Sequence, residues 1–141
     1  MGKNYDPKQV SLILGTHIAE GFADGTFINL ERNRDAFTLT KGASGEGARA
    51  KSNDKSARCT LTVMQSSLTN DYLSGIATAD ETSNGGQIPF LLKDNNGSTV
   101  AEGTACWVVK KPAVEYSNEI TNREWVLEID NCDILVGGIP A

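Results

Sequence analysis

Ala57-Arg58-Cys59-Thr60-Leu61-Thr62-Val63-Met64 decides the fold of this chain. In an extended backbone Ala57, Cys59, Leu61 and Val63 point one way, and Arg58, Thr60, Thr62 and Met64 the other. Alternation with a period of two is the mark of a strand with one face on a core and one toward water. The fifteen residues before it, Gly42 to Ser56, read G-A-S-G-E-G-A-R-A-K-S-N-D-K-S and hold no large apolar side chain. They cannot build a core of their own, and connections of that length in compact domains are usually functional or disordered. Upstream, Ala36 to Lys41 reads as another strand through Phe37-Thr38-Leu39-Thr40. The expectation is a rigid pair of strands carrying a long polar arm that orders against a partner. That pattern suits an assembly subunit better than an enzyme. Gly42, Glu46, Arg49, Lys51, Asp54 and Lys55 are the arm's candidate contacts between subunits.

Further outward, Val10, Leu12 and Leu14 alternate, Gly21 to Gly25 reads as a turn, and Thr26 to Arg32 as a strand. One helix is expected, capped by Ser66 or Ser67, with Leu68, Tyr72, Leu73 and Ile76 at helical spacing and an end near Ala79. Ile88, Phe90 and Leu92 alternate in the next strand. Asp94-Asn95-Asn96-Gly97 predicts a hairpin with a type I′ turn, and a return strand follows with Ala105, Trp107 and Val109 on its apolar face. The last strand is expected over Glu124 to Val136, with Trp125, Leu127 and Ile129 inward and Glu124, Glu128 and Asp130 outward. Gly137-Gly138 should end the ordered chain. The sum is a mainly β fold: seven or eight strands in two packed antiparallel sheets, a sandwich or barrel, with one flanking helix in a single domain over residues 1–141.

Composition narrows the function classes. No run of about 18 apolar residues exists, so no membrane-spanning helix is expected. The polar N-terminus lacks a signal-peptide core, and Asp6 stands where a myristoylation signal wants Ser or Thr. The expected site of assembly is the cytoplasm. Cys59, Cys106 and Cys132 are odd in number and widely spaced, which predicts buried free thiols. Residues 1–64 carry a net +2 and residues 65–141 a net −7, which argues against binding a phosphate backbone. His17 is the one histidine and has no nucleophile or ligand at useful spacing. Asp94 to Ser98 lacks the remaining carboxylates of a calcium loop, and Gly42 to Gly47 is not a phosphate loop. No catalytic, cofactor or metal residues are expected.

Several segments together resemble a known family. They are Tyr5-Asp6-Pro7, Gly21-Phe22-Ala23-Asp24-Gly25-Thr26-Phe27, Asn53-Asp54-Lys55-Ser56, Met64-Gln65-Ser66-Ser67, Asn70-Asp71, Asn122-Arg123-Glu124-Trp125 and Val136-Gly137-Gly138. Their order and spacing are similar to the inner tail tube proteins of contractile-tailed bacteriophages, related in fold to the type VI secretion tube protein. The resemblance implies six subunits per ring, inner strands joined in a continuous barrel, and rings stacked into a tube in the virion tail. It further implies sheath, baseplate and tail terminator proteins as partners, and DNA that passes without specific binding. Glu31, Glu124, Glu128 and Asp130 are then candidates for an acidic channel wall. The alternatives are a tube subunit of a secretion or injection system, and a β-sandwich carbohydrate-binding module. The second is disfavoured by 6% aromatic content and by placing both Trp107 and Trp125 on apolar faces.

Overall fold

A computed structural model describes residues 4–139. The N-terminal readings at Met1 to Lys3 lie outside those residues. The fold is mainly β, with two antiparallel sheets and one helix. After a 3-10 turn at Pro7–Gln9, the strands are β1 Val10–Leu14, β2 His17–Ile18, β3 Ile28–Arg32, β4 Phe37–Lys41, β5 Gly47–Lys51 and β6 Ala57–Met64. Helix α1 covers Thr69–Ser83. Then come β7 Ile88–Asp94, β8 Val100–Lys110, β9 Asn122–Ile129 and β10 Cys132–Leu135. Eight strands form one sheet in the order β2-β1-β7-β8-β9-β6-β3, with β10 also paired to β8. Strands β4 and β5 form a separate two-stranded sheet.

The large sheet is rolled. Leu12 and Leu14 near one end of the strand order share a single core with Ala57, Cys59, Leu61 and Val63 near the other. Phe90, Trp125, Leu127 and Ile129 fill the middle of that core and are essentially removed from water. Burying a side chain of this size is worth roughly 1.5–3 kcal/mol. Helix α1 adds Leu73 and Ala77. It is tied down by the Trp125 indole, which donates to Asn70 Oδ1 at 2.9 Å.

Strand β6 alternates as its sequence requires, with Ala57, Cys59, Leu61 and Val63 all fully buried. It pairs with β3 and β9 and not with β4. The strand that pairs with β4 comes from inside the expected loop. Phe37 faces Lys51, Leu39 faces Arg49, and Lys41 faces Gly47. One third of Gly42 to Ser56, the five residues Gly47–Lys51, is therefore strand.

Other expectations are corrected in detail. The final strand breaks at Asp130-Asn131, and its two halves, β9 and β10, lie along one edge of β8. On β8 the buried residues are Ala101 and Cys106, five apart, because a register shift lets an extra residue into the strand. Trp107 consequently points outward, opposite Glu128. Helix α1 starts at Thr69 and runs to Ser83, four residues past the expected end, where Asn84 turns the chain at φ 58°. Ser67 lies just before the helix, and its hydroxyl accepts from the Thr69 amide at 3.2 Å. Leu68 is exposed and makes no part of the apolar stripe.

The Asp94–Gly97 hairpin exists, but Asn96 and Gly97 do not adopt positive φ, so its turn is not type I′. The Asp94 carboxylate holds it by accepting from the Asn96 amide at 2.9 Å. Gly137 and Gly138 remain ordered, since Gly137 N donates to Thr99 Oγ1 at 2.9 Å and Gly138 O accepts from Ser98 N at 3.2 Å.

Candidate assembly surfaces

The arm is a two-stranded hairpin that stands off the core, and every residue of β4 and β5 is exposed. Gly42 to Glu46 forms its tip, closed by Gly42 N donating to Glu46 O at 2.7 Å. Gly45 adopts φ 87°, a conformation open to glycine, and nothing crowds it. At the base, Ser52 N donates to Ala36 O at 2.8 Å, and Arg34 Nε meets Asp54 Oδ2 at 3.0 Å. The Asp54 carboxyl is held below its ordinary value, first by its hydrogen bonds from Ser56. Of the candidate contacts, Gly42 and Glu46 lie at the tip, Arg49 and Lys51 on β5, and Asp54 and Lys55 in the return to β6. The Arg49 guanidinium stacks on the Phe37 ring 4.1 Å from its centroid, which preorganises one face of the arm.

A second surface is the outward face of β8, β9, β6 and β3. Register places Trp107, Glu128, Arg58 and Glu31 in one row across the four strands. The next row holds Lys110, Val126, Thr60 and Asn29, and Glu124 lies opposite Thr62 beyond it. Three of the four predicted acidic residues thus share one polar face. Asp130 stands at its end, in the break between β9 and β10. Arg58 Nε lies 3.3 Å from Glu128 Oε2, and Asn33 donates to the other oxygen of that carboxylate. The sequence showed these residues as outward. It did not show Arg58 between two of them, since that depends on register.

The remaining chemistry-bearing residues serve the fold. His17 Nε2 is 2.9 Å from Thr69 Oγ1, and its ring stacks on Tyr72 with centroids 4.6 Å apart. All three cysteines are free and buried. Burial pushes the Cys59 and Cys106 thiols up to about 12. Among the described residues no helix is long and apolar enough to cross a membrane.

Sequence reasoning missed one surface. Val114, Tyr116 and Ile120 are exposed on the strand-free connection between β8 and β9. Beside them a cavity of about 330 Å³ is lined by Lys111, Pro112, Arg123 and Trp125 among others. The buried Arg123 donates to Thr121 Oγ1 at 2.6 Å and Glu115 O at 2.8 Å.

Solved structures with a similar fold come from contractile injection machines. The tube-terminating cap of the anti-feeding prophage aligns at TM-score 0.62 with 10% identity, covering 96% of this chain and 93% of that one. The sheath/tube terminator of an extracellular contractile injection system aligns at 0.59 with 12% identity, covering 94% and 97%. A chain of that system's sheath-tube complex aligns at 0.56 with 11% identity, covering 94% and 91%. By sequence, the structural protein ORF10 of Pseudomonas phage KPP10 is 28% identical over 142 residues, spanning 95% of this chain and 82% of that protein. Residues 11–137 match the family described as the bacteriophage PhiTE tail tube protein, so this chain belongs to that family of phage tail tube proteins.

Proposed function

We propose that six copies close into a ring, that rings stack into the tail tube, and that the viral DNA passes through its lumen during ejection. The hairpin arm carries the reading: a strand pair exposed along its whole length and standing off the core is a contact surface awaiting a partner. Ring closure would also cover the edge strands β2 and β3, whose free backbone groups are a liability in a monomer.

The outward face of β8, β9, β6 and β3 is the proposed channel wall. Glu31, Glu124 and Glu128 stand there against Arg58 and Lys110, with Asp130 at the edge. A polar wall with a small negative excess lets a polyanion slide, whereas dense Lys and Arg would hold its phosphates. The role is structural and non-catalytic. Sheath, baseplate and tail terminator proteins are the proposed partners, and the subunit assembles in the host cytoplasm before becoming part of the virion tail.

Negative-stain electron microscopy of the purified protein tests the reading. Rings or tubes with a stain-filled hole are expected, and a chain that stays a compact monomer at every concentration would refute it. A second reading, a tube that delivers protein cargo, is favoured by the injection-system origin of the similar folds. Particles that carry the tube but hold no DNA-filled head would support it.

A further inference from the structure

We propose that the outward face of β2, β1, β7, the first half of β8, and β10 is the dock for the hairpin arm of a second copy of this chain. The proposal rests on the reading of the protein as a self-assembling tube subunit.

The arm has two unlike faces. Cross-strand partners point the same way in an antiparallel pair, so Phe37, Leu39, Lys41, Gly47, Arg49 and Lys51 share one face. Thr38, Thr40, Ala48 and Ala50 share the other. The first face combines two large apolar side chains with three cations and no carboxylate. Its chemistry calls for an apolar surface bordered by acids.

The dock has that composition. Register places Ile18, Ile13, Leu91, Glu102 and Asp133 in one outward row across the five strands. Ser11, Lys93, Val100 and Leu135 form the row beside it. Ile18 is 64% exposed and Leu135 59%, large values for branched apolar side chains on a sheet. Its polar counterpart, the proposed channel wall, has no such apolar row.

Glu102 and Asp133 stand directly opposite each other. Like charges at paired positions destabilise a sheet. The cations near them are Lys93 in the adjacent row and Lys55, whose Nζ lies 3.9 Å from Asp133 on an exposed surface. Lys41, Arg49 and Lys51 from another copy would relieve the repulsion while Phe37 and Leu39 cover the apolar row. The dimensions agree as well. Five strands at ~4.8 Å spacing span about 19 Å, and the arm's five paired residues extend roughly 17 Å. The exposed Val114, Tyr116 and Ile120 lie on a strand-free connection and offer the arm no sheet face to lie along.

Charge exchange tests the dock. The full chain carrying Glu102→Lys and Asp133→Lys should remain folded by circular dichroism yet yield at least roughly tenfold less sedimentable polymer, since juxtaposed like charges cost an interface several kcal/mol. Adding Arg49→Glu and Lys51→Glu in the same chain should restore polymer. A reversed dock that polymerises normally, or a fourfold variant that folds and does not recover, overturns the dock while leaving the tube reading intact. A second readout avoids charge altogether. A chain with Leu39→Cys and Leu91→Cys should form covalent ladders on oxidation, the native thiols being buried. Failure of the unaltered chain to polymerise, together with absence of ladders, would overturn both the dock and the tube.

Discussion

Gly103 lies where β9 gives way to β10. A Cβ there would collide with Ile129 Cγ2 and come 3.0 Å from Asn131 O. Gly103→Ala should therefore push the two halves of that edge away from β8 and cost about 1–3 kcal/mol. Urea unfolding measures it, and an unchanged midpoint would show the junction to be slack. The thiols make a second residue-level case. Their ordinary value is 9.0, and burial raises Cys59 and Cys106 to about 12. The folded state favours the neutral thiol, so its contribution is whole below pH 9 and shrinks as pH rises toward 12. Each thiol should remove about 1.4 kcal/mol per pH unit in that window. Thiol titration at neutral pH should find almost no reactive sulfur in the native protein and three thiols after denaturation.

At the scale of elements, legibility followed the alternation of apolar side chains, which even the exposed β4 carries in Phe37 and Leu39. Strand β6 is buried on one face only, so its alternation was plain in the sequence. Strand β5, Gly47–Lys51, pairs only with β4 and is wet on both faces, so no hydrophobic pattern could mark it. In β8 an inserted residue reversed the parity, and Trp107 was read on the wrong side for that reason. The channel candidates were legible as outward, but bringing Glu31 onto one face with Glu124 and Glu128 needed the pairing of distant strands. Removing the arm cleanly means cutting the whole hairpin, residues 37–51; a cut at Ala43–Asp54 would leave β4 unpaired. The subunit lacking 37–51, with a short turn in its place, should keep its stability to within about 1 kcal/mol, since loop length changes chain entropy only slightly. Equal polymer yield from that variant would remove the arm from assembly. Leu73→Ala in α1, by contrast, empties a fully buried site and should cost about 2–5 kcal/mol by thermal or urea unfolding.

The whole molecule is a rolled sheet whose inside is committed to one core and whose outside is divided. The face of β8, β9, β6 and β3 is polar, the face of β2, β1, β7 and β10 is apolar with an acidic border, and the arm is cationic. A self-sufficient monomer has no need of that division, and a subunit with a channel on one side and neighbours on the others does. Cryo-electron microscopy of the assembled protein tests this most directly, by assigning each of these faces to lumen or interface. The account predicts a hollow tube whose lumen is lined by Glu31, Glu124 and Glu128 with Arg58, more acidic than basic. A tube lined by the Ile13, Ile18 and Leu91 face, or a lumen with more Lys and Arg than Asp and Glu, would contradict it.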